Sequence, residues 1–387
     1  MSADWFDDVP GRRGTASYKW DTPADENVIP MWVADMDFRT APVVVDALRR
    51  RVEHGVFGYT KVPAEYYSAC TGWFARRHGW LFDSSEVIYT SGVVPAVSAI
   101  IKAMTRPGDK VILQTPAYNC FYSSIRNNGC RLSTNMLLRD ADGRYAIDFD
   151  DLERRTADPE AKLLILCNPH NPSGRVWTRG ELERVARICL EHDVFVISDE
   201  IHCELTYAGH DYTPYGTLGG EFLRRAAVCV SPSKAFNIAG LQIANIVAAD
   251  EGVRARIDRA INDNEVCDVN PFGVAATITA YNQGEEWLDS LRGYLWDNYC
   301  FARRFFADNM PRCGVTPLEG TYLLWVDVSA CGVPTEELSR RLEEDYKVKV
   351  SPGPDYGPGG EGFIRINLAC PRARLEVGLW RIAKALK

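Results

Sequence analysis

The middle of the chain alternates between short runs of apolar residues and longer stretches in which apolar side chains recur every three or four positions. Short apolar runs bounded by turn residues are typical of buried strands, and the longer spacing is typical of amphipathic helices. The predicted helices cover residues 94–104 and 179–192. The predicted strands cover residues 86–90, 110–114, 162–167, 194–198, 226–230 and 243–248.

The strand runs are continuously apolar rather than alternating, which indicates strands that are buried on both faces. Such strands, separated by helices, form a largely parallel sheet covered by helices, so the predicted fold class is α/β. A helical stretch at 287–309 and strand-like runs at 320–328 and 362–368 predict a second, smaller α/β unit.

The change of pattern along the chain predicts three parts. Residues 46–285 form the large domain, and residues 286–387 form the small C-terminal domain. Residues 1–45 are rich in Pro, Trp and Asp with little periodicity, and they predict an N-terminal arm. The arm belongs either to the small domain or to a contact with another subunit, and the sequence leaves both open.

Composition and charge exclude several classes of function. The 387 residues are 46% hydrophobic and 25% charged, which is ordinary globular composition. With 44 basic and 52 acidic residues the net charge is −8, and no run of Lys and Arg offers a surface for nucleic acid. No apolar run reaches the roughly 18 residues of a membrane span. The chain begins without a signal-peptide pattern, and its 12 scattered cysteines suggest reduced core residues, so we expect a cytoplasmic protein.

Polar and reactive residues follow four of the predicted strands. In open α/β sheets ligands bind beyond the carboxyl ends of the strands, so these residues should face one cleft. The first of these segments lies at a helix start, where free N–H groups favour a phosphate. The segments are SGVV at 91–94, NPHNPSG at 168–174, DEIH at 199–202 and SPSK at 231–234.

This set of groups matches one cofactor. A lysine forms a Schiff base with an aldehyde, an aspartate keeps a pyridine nitrogen protonated, and an amide binds a phenolate oxygen. Pyridoxal 5′-phosphate (PLP) needs all three, together with a phosphate site. The histidines and cysteines, by contrast, show no metal-ligand spacing, so no metal is expected.

These segments, followed by FIRIN at 363–367, resemble the fold-type I PLP enzymes of the class I/II aminotransferase superfamily. More narrowly, the chain resembles the MalY/PatB-type cystathionine β-lyases, also called cysteine C–S lyases. The resemblance implies a large PLP-binding domain with a mostly parallel seven-stranded sheet, and a homodimer with shared active sites. The narrower motifs are KWD at 19–21, PMWVADMDF at 30–38, FGYT at 57–60 and NPHNPSGRVW at 168–177.

The resemblance assigns roles to residues at the cofactor ring. Lys234 matches the lysine that holds the cofactor and moves protons. Asp199 matches the residue that pairs with the pyridine nitrogen, although its local sequence fits a helix N-cap equally well. Asn171 matches the amide at O3′ and near the substrate. Tyr118 matches the ring-stacking aromatic, where plain packing is the alternative, and His202 is a neighbour of the cofactor.

The resemblance also assigns the phosphate and substrate contacts. Tyr59 matches a tyrosine that reaches the phosphate from the neighbouring subunit. Arg365 matches the arginine that clamps the substrate α-carboxylate, and Ala34 lies in the segment near the substrate. Gln242 stands where many aminotransferases have a phosphate-binding arginine, so the phosphate charge must be balanced elsewhere. The other phosphate contacts are the backbone of Gly92, Val93 and Val94 and the hydroxyls of Ser231 and Ser233.

The leading hypothesis is β-elimination from an amino acid that carries sulfur on Cβ, with cystathionine giving homocysteine, pyruvate and ammonia. An aminotransferase on the same scaffold is the first alternative, since the ring-contacting residues serve both reactions. A regulatory protein that keeps the cofactor fold without catalysis is the second. The sequence does not identify which cysteine S-conjugate is the physiological substrate.

Overall fold

The computed structural model describes residues 4–386. The helices are α1 (Asp4–Asp7), α2 (Tyr18–Asp21), α3 (Pro42–Glu53), α4 (Ala64–His78), α5 (Val93–Met104), α6 (Asn119–Asn127), α7 (Phe149–Thr156), α8 (Arg179–Glu191), α9 (Gly220–Leu223), α10 (Glu251–Asn262), α11 (Pro271–Gln283), α12 (Glu285–Asn309), α13 (Thr335–Glu344) and α14 (Arg372–Leu386). The strands are β1 (Ile29–Pro30), β2 (Val87–Thr90), β3 (Lys110–Thr115), β4 (Arg131–Met136), β5 (Leu138–Arg139), β6 (Tyr145–Ala146), β7 (Ala161–Cys167), β8 (Phe195–Asp199), β9 (Ala226–Val230), β10 (Ala244–Val247), β11 (Gly314–Val315), β12 (Leu323–Asp327), β13 (Val348–Lys349), β14 (Ser351–Pro352) and β15 (Phe363–Asn367).

A seven-stranded sheet in the order β2-β10-β9-β8-β7-β3-β4 forms the centre of the molecule. Its strands are parallel except β10, which runs antiparallel to both β2 and β9. The predicted α/β class with a mostly parallel sheet is therefore confirmed. The prediction missed β4, because this edge strand carries exposed Arg131 and Leu132 and lacks a continuous apolar run.

Both faces of this sheet are covered by helices, which explains the continuous apolar runs. In β7, Leu163 and Ile165 belong to the core on one face, while Leu164 and Leu166 belong to the core on the other. Helix α5 contributes to the first core and helix α8 to the second. Helix α8 begins at a capping box in which Thr178 and Glu181 bind each other's backbone N–H groups.

A second, antiparallel sheet has the order β11-β12-β15-β14. On this sheet the ring of Trp325 stacks on the ring of Phe363, with 4.9 Å between the ring centroids. The N-terminal segment joins this part of the chain, since Ile29 pairs in parallel with Val348. The domain boundaries after residues 45 and 285 stay predictions. Within residues 4–386, no helix has both the length and the hydropathy to cross a membrane.

Candidate active site

A cavity lies where the strands of the large sheet end. Six of the strands point their carboxyl ends to this edge, while the antiparallel β10 begins there, which brings Gln242 and Ile243 to the cavity. The structure thus joins segments that lie far apart in the chain. The predicted residues that line the cavity are Ala34, Gly92, Val93, Val94, Tyr118, Asn171, Asp199, His202, Ser233 and Lys234.

Lys234 follows strand β9 and points its amine into the cavity. Its Nζ donates a hydrogen bond of 2.6 Å to the carbonyl of Ala34. Burial, joined by the positive charge of Arg365, lowers the pKa of Lys234 to about 8. A substantial fraction of the amine is therefore neutral in weakly alkaline solution, and a neutral amine is both a nucleophile and a proton acceptor.

Asp199 ends strand β8 and is buried. Its Oδ1 accepts a hydrogen bond of 3.1 Å from the backbone N–H of Ile201. Burial raises the pKa of Asp199 to about 7, against the opposing effects of the Ile201 N–H and the Lys234 charge. A positive charge placed beside this carboxylate in the cavity would therefore be stabilised by it.

The neighbouring carboxylate of Glu200 has a different environment. It accepts hydrogen bonds from Ser198 Oγ at 2.7 Å and from the Tyr215 N–H at 2.9 Å, and it also accepts one from the hydroxyl of Tyr212. Glu200 does not line the cavity. Of the two adjacent acids, Asp199 is thus the one available to a ligand.

Arg365 reaches the site from strand β15 of the second sheet. Its Nη1 donates to Asn171 Oδ1 at 3.0 Å, and its Nη2 donates to the carbonyl of Trp32 at 2.7 Å. Its guanidinium lies 5.0 Å from the centre of the Tyr356 ring. Arg365 is buried and its Nε has no hydrogen-bond partner among residues 4–386. The guanidinium therefore contacts the cavity through its hydrogen bond to Asn171, and its Nε–H is still available as a donor.

His202 contributes a second unpartnered atom. It is buried, and across the described part of the chain its Nδ1 has no hydrogen-bond partner. Burial, with the charges of Lys234 and Arg365, lowers the pKa of His202 well below its usual value. The imidazole is neutral at physiological pH, so it offers the cavity a hydrogen bond without a charge.

The N-terminal end of helix α5 forms another wall of the cavity. Gly92 precedes the helix with φ 159°, and the first N–H groups of an α-helix have no intrahelical acceptor. Ser233 lines the same cavity. These donors, with the helix dipole, favour an anion at this wall of the cavity. Among the described residues that line the cavity, Lys234 is the one side chain that is cationic at neutral pH.

Comparison with known proteins places the chain in a family. The model of the family described as "Aminotransferase class I and II" matches residues 26–382. The chain belongs to the class I and II aminotransferase family. It is 43% identical to cystathionine beta-lyase PatB of Bacillus subtilis over 98% of this chain and 99% of that protein. These findings confirm the predicted resemblance.

Two solved structures extend the comparison. A PLP-bound protein of Clostridium difficile 630 that carries an aminotransferase name has a TM-score of 0.96 and 42% identity, covering 99% of both chains. A PLP-bound C–S lyase from Staphylococcus hominis has a TM-score of 0.91 and 34% identity, covering 98% of both chains. The fold is therefore shared with family members along nearly the whole length.

Three predicted site residues do not line the cavity of this class I and II aminotransferase family member. Ser231 lies behind it: its hydroxyl donates to the carbonyl of Ile243 at 2.6 Å and accepts from the Ser233 N–H at 3.1 Å. Ser231 is thus placed to support Ser233 rather than to face the cavity. Tyr59 is fully exposed on this chain, and Arg365 touches the site through Asn171.

The structure adds residues that the sequence analysis missed. Cys167, which the sequence placed in the core, lines the cavity, and burial raises the pKa of its thiol so that it stays protonated. Tyr322 donates a hydrogen bond of 2.9 Å to the same Ala34 carbonyl that accepts from Lys234. Tyr322 could have been noticed from its position directly before strand β12, but the prediction placed this residue inside the strand.

The segment at residues 32–38 forms one side of the site without being a helix or strand. Side chains hold its carbonyls instead, which explains why the sequence shows no periodicity there. Arg365 binds the carbonyl of Trp32, Asn367 that of Val33, Lys234 that of Ala34, Lys19 that of Asp35 and Arg12 that of Met36.

A buried ion pair anchors this segment. Lys19 Nζ lies 3.0 Å from Asp37 Oδ1, and both side chains are 1% exposed. Arg374 adds a contact of 2.6 Å to the other carboxylate oxygen of Asp37. Burial acts to raise the pKa of Asp37, but Lys19 and Arg374 outweigh it and hold the pKa below its usual value. The carboxylate therefore stays ionised and fixes the segment beside Lys234.

Proposed function

We propose that the protein is a PLP-dependent carbon–sulfur β-lyase that acts on cystathionine or a related cysteine S-conjugate. The products are a thiol, pyruvate and ammonia, with homocysteine as the thiol from cystathionine. The observation that carries the proposal is the convergence of Lys234, Asp199 and Asn171 on one cavity, with Arg365 bound to Asn171. The relatives whose names specify a lyase support the choice of reaction.

The residues of the cavity fit PLP. The buried Asp199 carboxylate, which faces the cavity, suits a protonated pyridine nitrogen, and the start of helix α5 with Ser233 suits a phosphate. The amide of Asn171 and the free Nδ1 of His202 are polar groups available near the ring. When bound, PLP supplies an electron sink for the bonds at the substrate Cα.

The protein's own groups would then select the reaction. Arg365 would leave the Trp32 carbonyl and bind the substrate α-carboxylate with its planar fork, which fixes the orientation of the Cα–H bond. Lys234 Nζ, with its lowered pKa, would take the Cα proton as a general base. The C–S bond of the substrate breaks, the thiolate leaves with the electron pair, and the remaining fragment hydrolyses to pyruvate and ammonia.

An aminotransferase activity is the second candidate, because a structurally similar PLP-bound protein carries that name. The two reactions differ in what they consume. A lyase releases pyruvate from L-cystathionine without a second substrate, whereas an aminotransferase turns over only with a keto acid as acceptor. We expect PLP-loaded protein to release pyruvate and homocysteine with no keto acid present. Turnover that depends on an added keto acid would contradict the lyase assignment.

We further propose that the protein works as a homodimer in which Tyr59 reaches the partner's phosphate site. The support is an exposed apolar strip made of Val52, Val56, Phe57 and Tyr59, of which Val56 is 63% exposed. Such strips mark interaction surfaces on proteins in solution.

The oligomeric state gives a direct test of this proposal. Sedimentation equilibrium should give twice the chain mass of 43.4 kDa. Val56→Asp should produce monomers and lose turnover with them, because each site would lack the partner's tyrosine. The matched control is Leu81→Asp, which alters an exposed leucine outside the strip. A monomeric, fully active wild type would contradict the proposal.

A further inference from the structure

A second cleft lies beside the proposed active site. It opens between the start of helix α6 and the turn Gly353–Tyr356, which precedes strand β15 by a loop. Its lining carries a larger share of polar surface than that of the cofactor cavity. The lining residues that matter here are Asn119, Cys120, Ser123, Arg126 and Asp355.

The two walls of this cleft also belong to the proposed active site. Tyr118, which lines the cofactor cavity, directly precedes helix α6. On the opposite wall the ring of Tyr356 lies against Arg365. Hydrogen bonds join the two walls. The Tyr356 carbonyl accepts one from Tyr122 Oη at 2.7 Å and one from the Ala117 N–H at 2.9 Å. The charge of Arg365 also acts on Asp355 in the cleft, so a substrate held by Arg365 would have this cleft next to it.

Arg126 and Asp355 give the cleft one charge of each sign. Both side chains are exposed, and among residues 4–386 neither has an ion pair or hydrogen bond with another side chain. Although its side chain is exposed, desolvation of the Asp355 carboxyl group raises its pKa, and the negative charge of Glu336 adds to this effect while the positive charge of Arg365 opposes it. The carboxylate thus lies in a place where a cationic partner would stabilise it. An unpaired cation and anion in one cleft are complementary to a zwitterion.

We propose that this cleft binds the second amino acid that a substrate carries on its leaving sulfur, with Arg126 binding the distal carboxylate and Asp355 the distal ammonium. The inference rests on the proposed lyase function and names its substrate class. That class consists of cysteine derivatives whose sulfur bears another amino acid. L-Cystathionine and L-cystine both qualify, because they place the distal Cα at the same number of bonds from the leaving sulfur.

The test compares substrates with and without the distal amino acid. In PLP-loaded enzyme, Arg126→Gln and Asp355→Asn should each raise KM for L-cystathionine about tenfold, as expected for a lost charge-assisted hydrogen bond. Kinetics with S-methyl-L-cysteine, which has no distal group, should not change. L-Cystine should follow L-cystathionine, and the ratio of their wild-type kcat/KM values identifies the preferred source. Arg256→Gln, an exposed arginine on helix α10, is the matched control.

A binding measurement separates this inference from the lyase proposal. Calorimetric titration of L-cystathionine into PLP-loaded Lys234→Ala protein reports binding without turnover, and adding Arg126→Gln should weaken that binding about tenfold. Unchanged KM and unchanged binding in both cleft variants would overturn the inference, and so would equal losses for S-methyl-L-cysteine. If wild type released no pyruvate from any of these substrates, the lyase proposal would fail, while the titration would still decide the cleft.

Discussion

Replacing Lys234 with alanine is expected to lower kcat for pyruvate release from L-cystathionine by about 10³-fold or more, since a positioned base contributes roughly 10²–10⁴-fold. No nearby group can take over, because Lys234 is the one amine among the described cavity residues and His202 has a pKa lowered by burial. The loss should appear in single-turnover measurements with saturating substrate. The matched control is Lys384→Ala, which removes an exposed lysine in the last turn of helix α14.

The pH dependence of cofactor loading tests the same residue in another way. The neutral amine is the form that reacts with the PLP aldehyde, and burial lowers the pKa of Lys234 from 10.5 to about 8. The rate of loading, followed by visible absorbance, should therefore rise as the pH increases through about 8 and then level off. A rate that keeps rising toward the pKa of an ordinary lysine would contradict the lowered pKa. Full turnover in Lys234→Ala would contradict the catalytic role.

The large sheet could be predicted because its strands are buried on both faces, so that runs such as 226–230 contain only apolar residues. The same property hides the direction of a strand. Strand β10 is as fully buried as β9 but runs antiparallel to it. Burial on both faces requires a strand to be apolar but does not determine the direction in which its backbone runs. The sequence pattern therefore carried no information on this reversal.

The candidate site was predictable where residues follow strands and unpredictable where they do not. Asp199 is the last residue of β8 and Lys234 follows β9 after a short turn, so strand prediction located them. The segment at 32–38 has no such marker, because its carbonyls are held by distant side chains such as Asn367 and Arg12. The cleft with Arg126 and Asp355 depends on a turn meeting a helix far away in sequence, and local patterns do not encode that meeting.

The local sequence does not distinguish the adjacent acids Asp199 and Glu200, and the prediction of Asp199 rested on the family resemblance. Asp199 ends strand β8 and Glu200 follows it, and burial raises the pKa of each to about 7. The structure distinguishes them by their partners. Glu200 is held by Ser198, Tyr215 and Tyr212, whereas Asp199 faces the cavity. The Glu200 carboxylate is therefore occupied by hydrogen bonds within the protein interior, whereas the Asp199 carboxylate is available to stabilise a charge on a ligand.

Asp199→Asn is expected to lower kcat about 10²–10³-fold, the range for loss of one preorganised electrostatic group. Asparagine keeps the volume and still accepts the hydrogen bond from the Ile201 N–H, but a neutral amide does not stabilise a protonated pyridine nitrogen. The variant should therefore fold and still bind PLP, as visible absorbance would show, while releasing pyruvate far more slowly. Asp258→Asn, an exposed aspartate on helix α10, controls for loss of one negative charge. Wild-type turnover in Asp199→Asn would mean that the buried carboxylate serves the fold and not the electron sink, because its charge is the one property that the substitution removes.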